Sequence, residues 1–204
     1  MIAEKFKLRA SQAGLFMVNP KGKGEKLSAG AKSYLEDWAK EQIYGVKKEF
    51  SSRQTDKGNI VEQASIDAVI EWLDLPFFVK NEEHFEDEYF QGTPDGLPVG
   101  LVIDMKNSWN CFTFPLFEKK IPTKGYEGQL QVYMHLTGRK KAKLIYALMD
   151  TPSDLADAGE ISYEHLPIDK RCKYFDLVYD RELIETLQER VIAAREYLRE
   201  LLGE

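Results

Sequence analysis

The stretch Gly92-Thr93-Pro94-Asp95-Gly96-Leu97-Pro98-Val99-Gly100-Leu101-Val102-Ile103-Asp104-Met105-Lys106-Asn107 decides the fold. Its first five residues are turn formers: glycine reaches positive φ, proline fixes φ, and aspartate bonds to nearby backbone. Val99 to Lys106 then reads as a strand. Side chains alternate along a strand, so Asp104 and Lys106 share one face and Met105 points to the other. Ahead of the turn, Glu83 to Gln91 alternates loosely and predicts a second strand. Together the two predict a hairpin that sets Asp95 beside Asp104. Two carboxylates forced together repel, which raises a pKa or recruits a cation, and a hard ion such as Mg²⁺ accepts such oxygens. The plainer reading of the same residues is an acidic turn followed by a strand with an ordinary Asp–Lys pair.

Working outward, Ser28 precedes a helical stretch from about Ala29 to Tyr44, closed by Gly45. A second helix is predicted from near Gly58 to Leu73, stopping ahead of Pro76 because proline disfavours helix in the residue before it. Gly125 to Leu136 reads as helix, Ala142 to Met149 as an apolar strand, and Arg181 to Leu202 as a long terminal helix. This order implies an α/β fold, a small mixed sheet flanked by helices. One domain is expected over residues 1–204, with a helical, basic N-terminal part to about 57, a core over about 58–150 and the terminal helix at about 181–202.

Helical phase picks out two polar residues. At about 100° per residue, Glu62 falls within the apolar arc of Val61, Ile66, Val69, Trp72 and Leu73. A carboxylate there is costly unless paired or bound to metal. Gln129 lies in the arc of Tyr126, Val132, Tyr133 and Leu136, whereas Gln131 falls on the opposite side, where solvent is expected. A buried amide at 129 needs partners, which capping a neighbouring element or orienting a water or phosphate would both supply.

Composition narrows the class. The longest apolar runs fall far short of the ~20 residues of a membrane-spanning helix, and the N-terminus alternates charged and apolar residues instead of forming a secretory signal. A cytoplasmic protein is expected. Cys111 and Cys172 alone supply neither a disulfide framework nor a zinc or iron–sulfur ligand set. The net charge of −6 weighs against phosphate binding, but residues 1–57 hold twelve Lys/Arg against seven Asp/Glu, a local excess of five positive charges. Arg139, Lys140, Lys141 and Lys143 form a second basic cluster, and acids crowd Glu82 to Glu88. A solvated surface explains such clusters equally well.

With Gly58-Asn59-Ile60-Val61-Glu62 before the central stretch and Gly128-Gln129-Leu130-Gln131-Val132-Tyr133-Met134 after it, the chain resembles the PD-(D/E)XK nuclease superfamily. Within it the likeness is to phage lambda exonuclease and the YqaJ-type viral recombinase nucleases, and it runs from Ala10-Ser11 to the strand ending at Asp150. The resemblance implies a restriction-endonuclease-like core with Asp95, Asp104, the carbonyl of Met105 and Glu62 as metal ligands. It makes Lys106 the catalytic lysine, places Gln129 in the site, and completes a Gln-x-x-x-Tyr pattern with Tyr133 that the RecB-like branch shares. Ser11 corresponds to a serine near the bound DNA end, and Arg9 with Lys21 and Lys23 of the adjoining Lys/Gly loop completes the DNA-contacting set. Asp104 departs from the Glu found in many members. The cofactor implied is Mg²⁺, with Mn²⁺ as substitute and no iron–sulfur cluster.

The activity so implied is 5′-to-3′ exonuclease action on duplex DNA ends in phage recombination, with a single-strand annealing protein and a homo-oligomeric ring as partners. Two other readings stand beside it: an endonuclease or structure-specific nuclease on the same fold, and a catalytically silent DNA-binding module.

Overall fold

The computed structural model describes residues 1–48, 53–151 and 161–204, and for 53–56, 58 and 59 the helical backbone alone. The side chains of Arg53 and Asn59 therefore lie outside the described residues. In chain order the elements are β1 (Leu8–Arg9), α1 (Ala13–Met17), α2 (Ala29–Tyr44), α3 (Arg53–Trp72), β2 (Phe85–Glu86), β3 (Phe90–Gly92), β4 (Val102–Asn107), α4 (Lys124–Thr137), β5 (Lys141–Ala147), β6 (Cys172–Val178) and α5 (Arg181–Leu202).

The helix punctuation works as the sequence implies. Ser28 Oγ accepts from the Ala31 N–H at 3.2 Å and Gly45 closes α2 at φ 66°. Asp180 caps α5 through the Leu183 N–H at 3.1 Å, and Gly203 ends it at φ 68°. α3 starts earlier than expected, running through Gly58. Among the described residues no helix is long and apolar enough to cross a membrane.

The strands depart from expectation. Glu83 to Gln91 is not one strand: Asp87 Oδ1 accepts from the N–H groups of Tyr89 and Phe90 at 2.8 and 2.7 Å, a local turn that folds the segment back on itself. β2 and β3 pair antiparallel across it, and β3 pairs parallel with β1. β4 joins a second sheet, parallel to β5, which pairs antiparallel with β6. The predicted hairpin reduces to one bridge, Gly96 to Ile103. There are thus two small mixed sheets of three strands each among the described residues.

The second sheet is covered on both faces. Ile103, Met105, Ile145 and Ala147 pack with Ile66 and Val69 of α3, while Val102, Leu144 and Tyr146 belong to the larger core with Leu130, Tyr133 and Met134 of α4. Strand alternation therefore turns Asp104 and Lys106 toward α4.

α4 is buried on both sides as well, which corrects the expectation for Gln131. That side chain is 3% exposed. Its Nε2 donates to the Val178 carbonyl at 2.8 Å and its Oε1 accepts from the Asp180 N–H at 2.8 Å. The β6–α5 junction closes over the face of α4 that an isolated amphipathic helix would present to water.

Candidate active site

β4 is the edge strand of its sheet, and its free edge builds the site. Asp95 Oδ2 accepts from the Met105 N–H at 2.7 Å, and Gly96 exchanges backbone hydrogen bonds with Ile103. Asn81 steadies this turn by donating from its backbone N–H to the Asp95 carbonyl and from its side chain to the Pro94 carbonyl. The N–H and C=O of one strand residue lie on the same edge, so the Met105 carbonyl faces the Asp95 side.

Asp104 is 1% exposed. Its Oδ1 accepts from Gln129 Nε2 at 3.1 Å, and the same amide donates to the Tyr133 hydroxyl at 3.0 Å. Its Oδ2 makes an ion pair with Lys106 Nζ at 2.7 Å, yet it accepts no hydrogen bond of good geometry and keeps lone-pair capacity for a cation. The Lys106 ammonium also lies 4.7 Å from the centre of the Tyr126 ring.

The electrostatics follow from this crowding. Burial first, and Asp104 second, push the Asp95 carboxyl up to about 7, against the opposing pull of the Met105 N–H and Lys106. Burial likewise raises Asp104, with Lys106 opposing it. For Lys106 burial favours the neutral amine, but Asp104 and Asp95 outweigh it and hold the group above its ordinary value. Two carboxylates that resist ionising together, with a carbonyl beside them, are a hard-oxygen donor set of the kind that suits Mg²⁺.

Glu62 flanks that set. α3 covers the Met105 face of β4, opposite Asp104, and Glu62 turns to the rim where Lys80 Nζ lies 2.5 Å from its Oε2. It still raises the Asp95 carboxyl through its charge. Among the described residues no group of three or more His, Cys, Asp or Glu side chains converges as a metal cage.

Two of the expected DNA-contacting residues come together. Arg9 and Ser11 line a cavity of about 350 Å³ with Lys47, His84, Thr93 and Tyr133, next to Gln129 and Asp104. Arg9 is tied to Glu41 at 3.1 Å. Gly92 forms part of this wall, and a Cβ there would meet Tyr133 Cε1 at 2.6 Å, so only glycine lets the strand pass. Lys21 and Lys23 are exposed in the turn before α2, whose preceding residues Phe16, Val18 and Asn19 are gripped by Arg190 of α5. A surface groove of about 1000 Å³ lies between residues 119–124 and β6, and its lining includes neither Asp95 nor Asp104.

Sequence reading missed Lys57, Lys80, Asn81 and Tyr126. Lys57 is fully buried, and its ammonium donates to the carbonyls of Ser108, Trp109 and Met149 and to Thr151 Oγ1 at 2.8–3.1 Å. Its signal was the i, i+4 register with Val61, Ser65 and Val69, all buried. Tyr126 sat in the same arc as Gln129. Nothing local marked Lys80 or Asn81, which act across the fold.

The fold and site together define a nuclease with a restriction-endonuclease-like core. The chain is 30% identical to a phage-related exonuclease from Haemophilus somnus 129PT, covering 97% of this chain and 96% of that one with a TM-score of 0.87. It therefore belongs to the phage-related exonucleases, in the branch of lambda exonuclease and the YqaJ-type nucleases. The alkaline exonuclease LHK-Exo from Laribacter hongkongensis shares the fold at 17% identity and TM-score 0.74, over 99% of this chain and 92% of that one. A structure of LHK-Exo with dAMP superposes with TM-score 0.69 at 20% identity, over 97% and 93%. No protein-family model and no curated protein matches the chain.

Proposed function

We propose that this nuclease is a divalent-metal-dependent exonuclease that hydrolyses phosphodiester bonds from the ends of duplex DNA. The observation that carries the reading is the buried Asp95–Asp104 pair on the free edge of β4, with Lys106 and Gln129 set around one carboxylate. Its kinship with a phage-related exonuclease supports action at ends.

Asp95, Asp104 and the Met105 carbonyl are the residues that would hold Mg²⁺, with Mn²⁺ as substitute and Glu62 at the rim. When bound, such an ion lowers the pKa of water and stabilises charge on the scissile phosphate. Asp104 holds its orientation through Gln129 and Lys106. Lys106 brings a positive charge to the reacting phosphate and a donor for the nucleophilic water or the developing oxyanion. Gln129 fixes one Asp104 oxygen so that the other stays available. Arg9, Ser11 and Lys47 line a polar cavity next to Tyr133 that suits a terminal phosphate of the DNA.

End-labelled linear and closed circular duplex, each with and without Mg²⁺, test the reading. Mg²⁺-dependent loss of the linear substrate with the circle intact is expected. Cleavage of the circle would favour an endonuclease, and inertness toward both would favour a DNA-binding module. The family also extends the proposal to phage recombination, with a single-strand annealing partner and a ring-shaped homo-oligomer, which sedimentation of the protein alone and with such a partner tests.

A further inference from the structure

Residues 108–123 connect β4 to α4, so both ends of the segment rest on elements that carry the site. Ser108 is two residues past Lys106, and Tyr126 in the first turn of α4 packs on the Lys106 ammonium. The segment is held firmly. Lys57 donates to the carbonyls of Ser108 and Trp109, the Asn110 side chain accepts from the N–H groups of Phe112 and Thr113 at 3.0 and 3.2 Å, and the Tyr163 hydroxyl accepts from the Cys111 N–H at 3.2 Å. Phe114 is buried in the main core and Leu116 packs against it.

On this anchored frame two phenylalanine rings stand in water. Phe112 is 92% and Phe117 is 89% exposed, although the same loop buries Phe114 at 6%. Along the segment itself cations dominate, although the groove that Lys119, Lys120 and Lys124 line also holds Glu127, Asp176, Asp180 and Glu182. Residues 108–124 carry Lys119, Lys120 and Lys124 against Glu118 alone, in a chain of net charge −6. All three lysines are exposed, and among the described residues none of them makes an ion pair.

We propose that this loop is a platform for single-stranded DNA, with nucleobases stacking on Phe112 and Phe117 and Lys119, Lys120 and Lys124 engaging the phosphates. The inference rests on DNA being the substrate. Aromatic rings interleaved with cations are what an unpaired strand needs, since every base has a π-face and stacking tolerates any sequence. Bases in a duplex are already stacked, so the rings select the frayed end or the released strand. A protein partner would want a contiguous apolar centre within roughly 800 Å² per side, whereas the residues next to these rings along the chain, Cys111, Thr113, Glu118, Lys119 and Lys120, are all exposed and mostly polar. The fixed loop also avoids an ordering cost on binding.

The test is fluorescence anisotropy of labelled single-stranded oligothymidylate, about twelve nucleotides long to match a typical site size, titrated with the full chain in chelator so that no cleavage intervenes. The double variant F112A/F117A is expected to weaken binding by about thirtyfold or more, from the usual strength of base–aromatic stacking at each of the two rings. F112L/F117L should lose as much, because it keeps apolar bulk without a π-face, and F112W/F117W should bind at least as tightly as wild type. K119Q/K120Q should flatten the salt dependence. Wild-type affinity in F112A/F117A, full binding by F112L/F117L, or no binding by the wild type overturns the platform. So does a changed sedimentation coefficient in F112A/F117A, which assigns the rings to a contact with a second copy. Failure of the nuclease reading registers separately, as absent Mg²⁺-dependent cleavage of end-labelled duplex by the wild type.

Discussion

Gln129 Nε2 lies 3.1 Å from Asp104 Oδ1, so one turn of α4 is hydrogen-bonded directly to the carboxylate at the centre of the site. The neighbouring glutamine two residues on makes equally good bonds, but to the β6–α5 junction. Two side chains of one type on one helix thus bond to the candidate site and to the surrounding architecture respectively.

The two glutamines should separate in experiment. Gln129→Ala is expected to cut turnover by about tenfold to a thousandfold, the range for loss of one orienting hydrogen bond in an active site. Gln131→Ala should leave turnover near wild type and cost about 1–3 kcal/mol of stability, because the Asp180 N–H and Val178 carbonyl lose their partners. For a chain of this size that corresponds to a melting temperature lower by roughly 2–10 °C. Cleavage rates taken well below the transition, with thermal melts, decide it; a greater loss of turnover at Gln131 contradicts the assignment.

Asp104→Asn and Lys106→Ala should each abolish cleavage while circular dichroism stays native. The asparagine also removes the like charge beside Asp95, so the Asp95 carboxyl should titrate lower than in wild type, which carbon-detected NMR of the side chain would register. Wild-type turnover in either variant would remove both residues from the reaction.

Asp95 predicts a pH signature of the metal-free protein. Its carboxyl is raised from 3.8 to about 7 in the fold, so the unfolded chain loses this proton first as pH rises. The contribution is fully present below about 4 and is lost as pH climbs through 7. The carboxyls of Asp87 and Glu204 are held low instead and act in the opposite sense, below pH 4. In chelator the melting temperature of wild type should therefore fall relative to Asp95→Asn between pH 4 and 7, and Mg²⁺ should reverse the fall at neutral pH. Parallel curves for the two proteins would contradict the raised carboxyl.

Tyr126 should act on the reaction through Lys106. An ammonium over an aromatic face gains about 0.5–2 kcal/mol, so Tyr126→Leu is expected to reduce kcat a few-fold to about thirtyfold with KM little changed. Tyr126→Phe keeps the ring and should restore most of the rate. Equal losses in the two variants would point to the hydroxyl rather than the ring.

Lys57→Met should be strongly destabilising. It takes the ammonium donor from the carbonyls of Ser108 and Met149, at about 1–3 kcal/mol for each buried group left unsatisfied, while the Trp109 carbonyl still accepts from the Thr151 hydroxyl at 3.3 Å. A melting temperature within a degree or two of wild type would show that water replaces the ammonium.

Much of this was legible in the chain itself, where short-range periodicity governs. The period of two placed Asp104 and Lys106 on one face of β4, and Ser28, Gly45 and the run to Leu202 marked helix limits through capping and glycine. The 3.6-residue period put Gln129 on the inward face of α4. Asp95 was set beside β4 by its turn, although a single bridge and a side-chain bond to the Met105 N–H do the work expected of a whole hairpin.

Tertiary structure decided what depends on how elements cover one another. An amphipathic pattern reports one buried face, so it could not anticipate that the β6–α5 junction would bury Gln131 on the other. Nor could phase along α3 show that this helix lies across the Met105 face of β4, which carries Glu62 to the rim and into the grip of Lys80. Asp87 split the segment from Glu83 to Gln91 because its carboxylate satisfies two amides at once, a competition between side chain and ladder that alternation does not encode. The sequence determined which residues are candidates for the chemistry, since their spacing is local; only packing determined which of them meet, since burial and charge pairing are properties of contacts between distant parts of the chain.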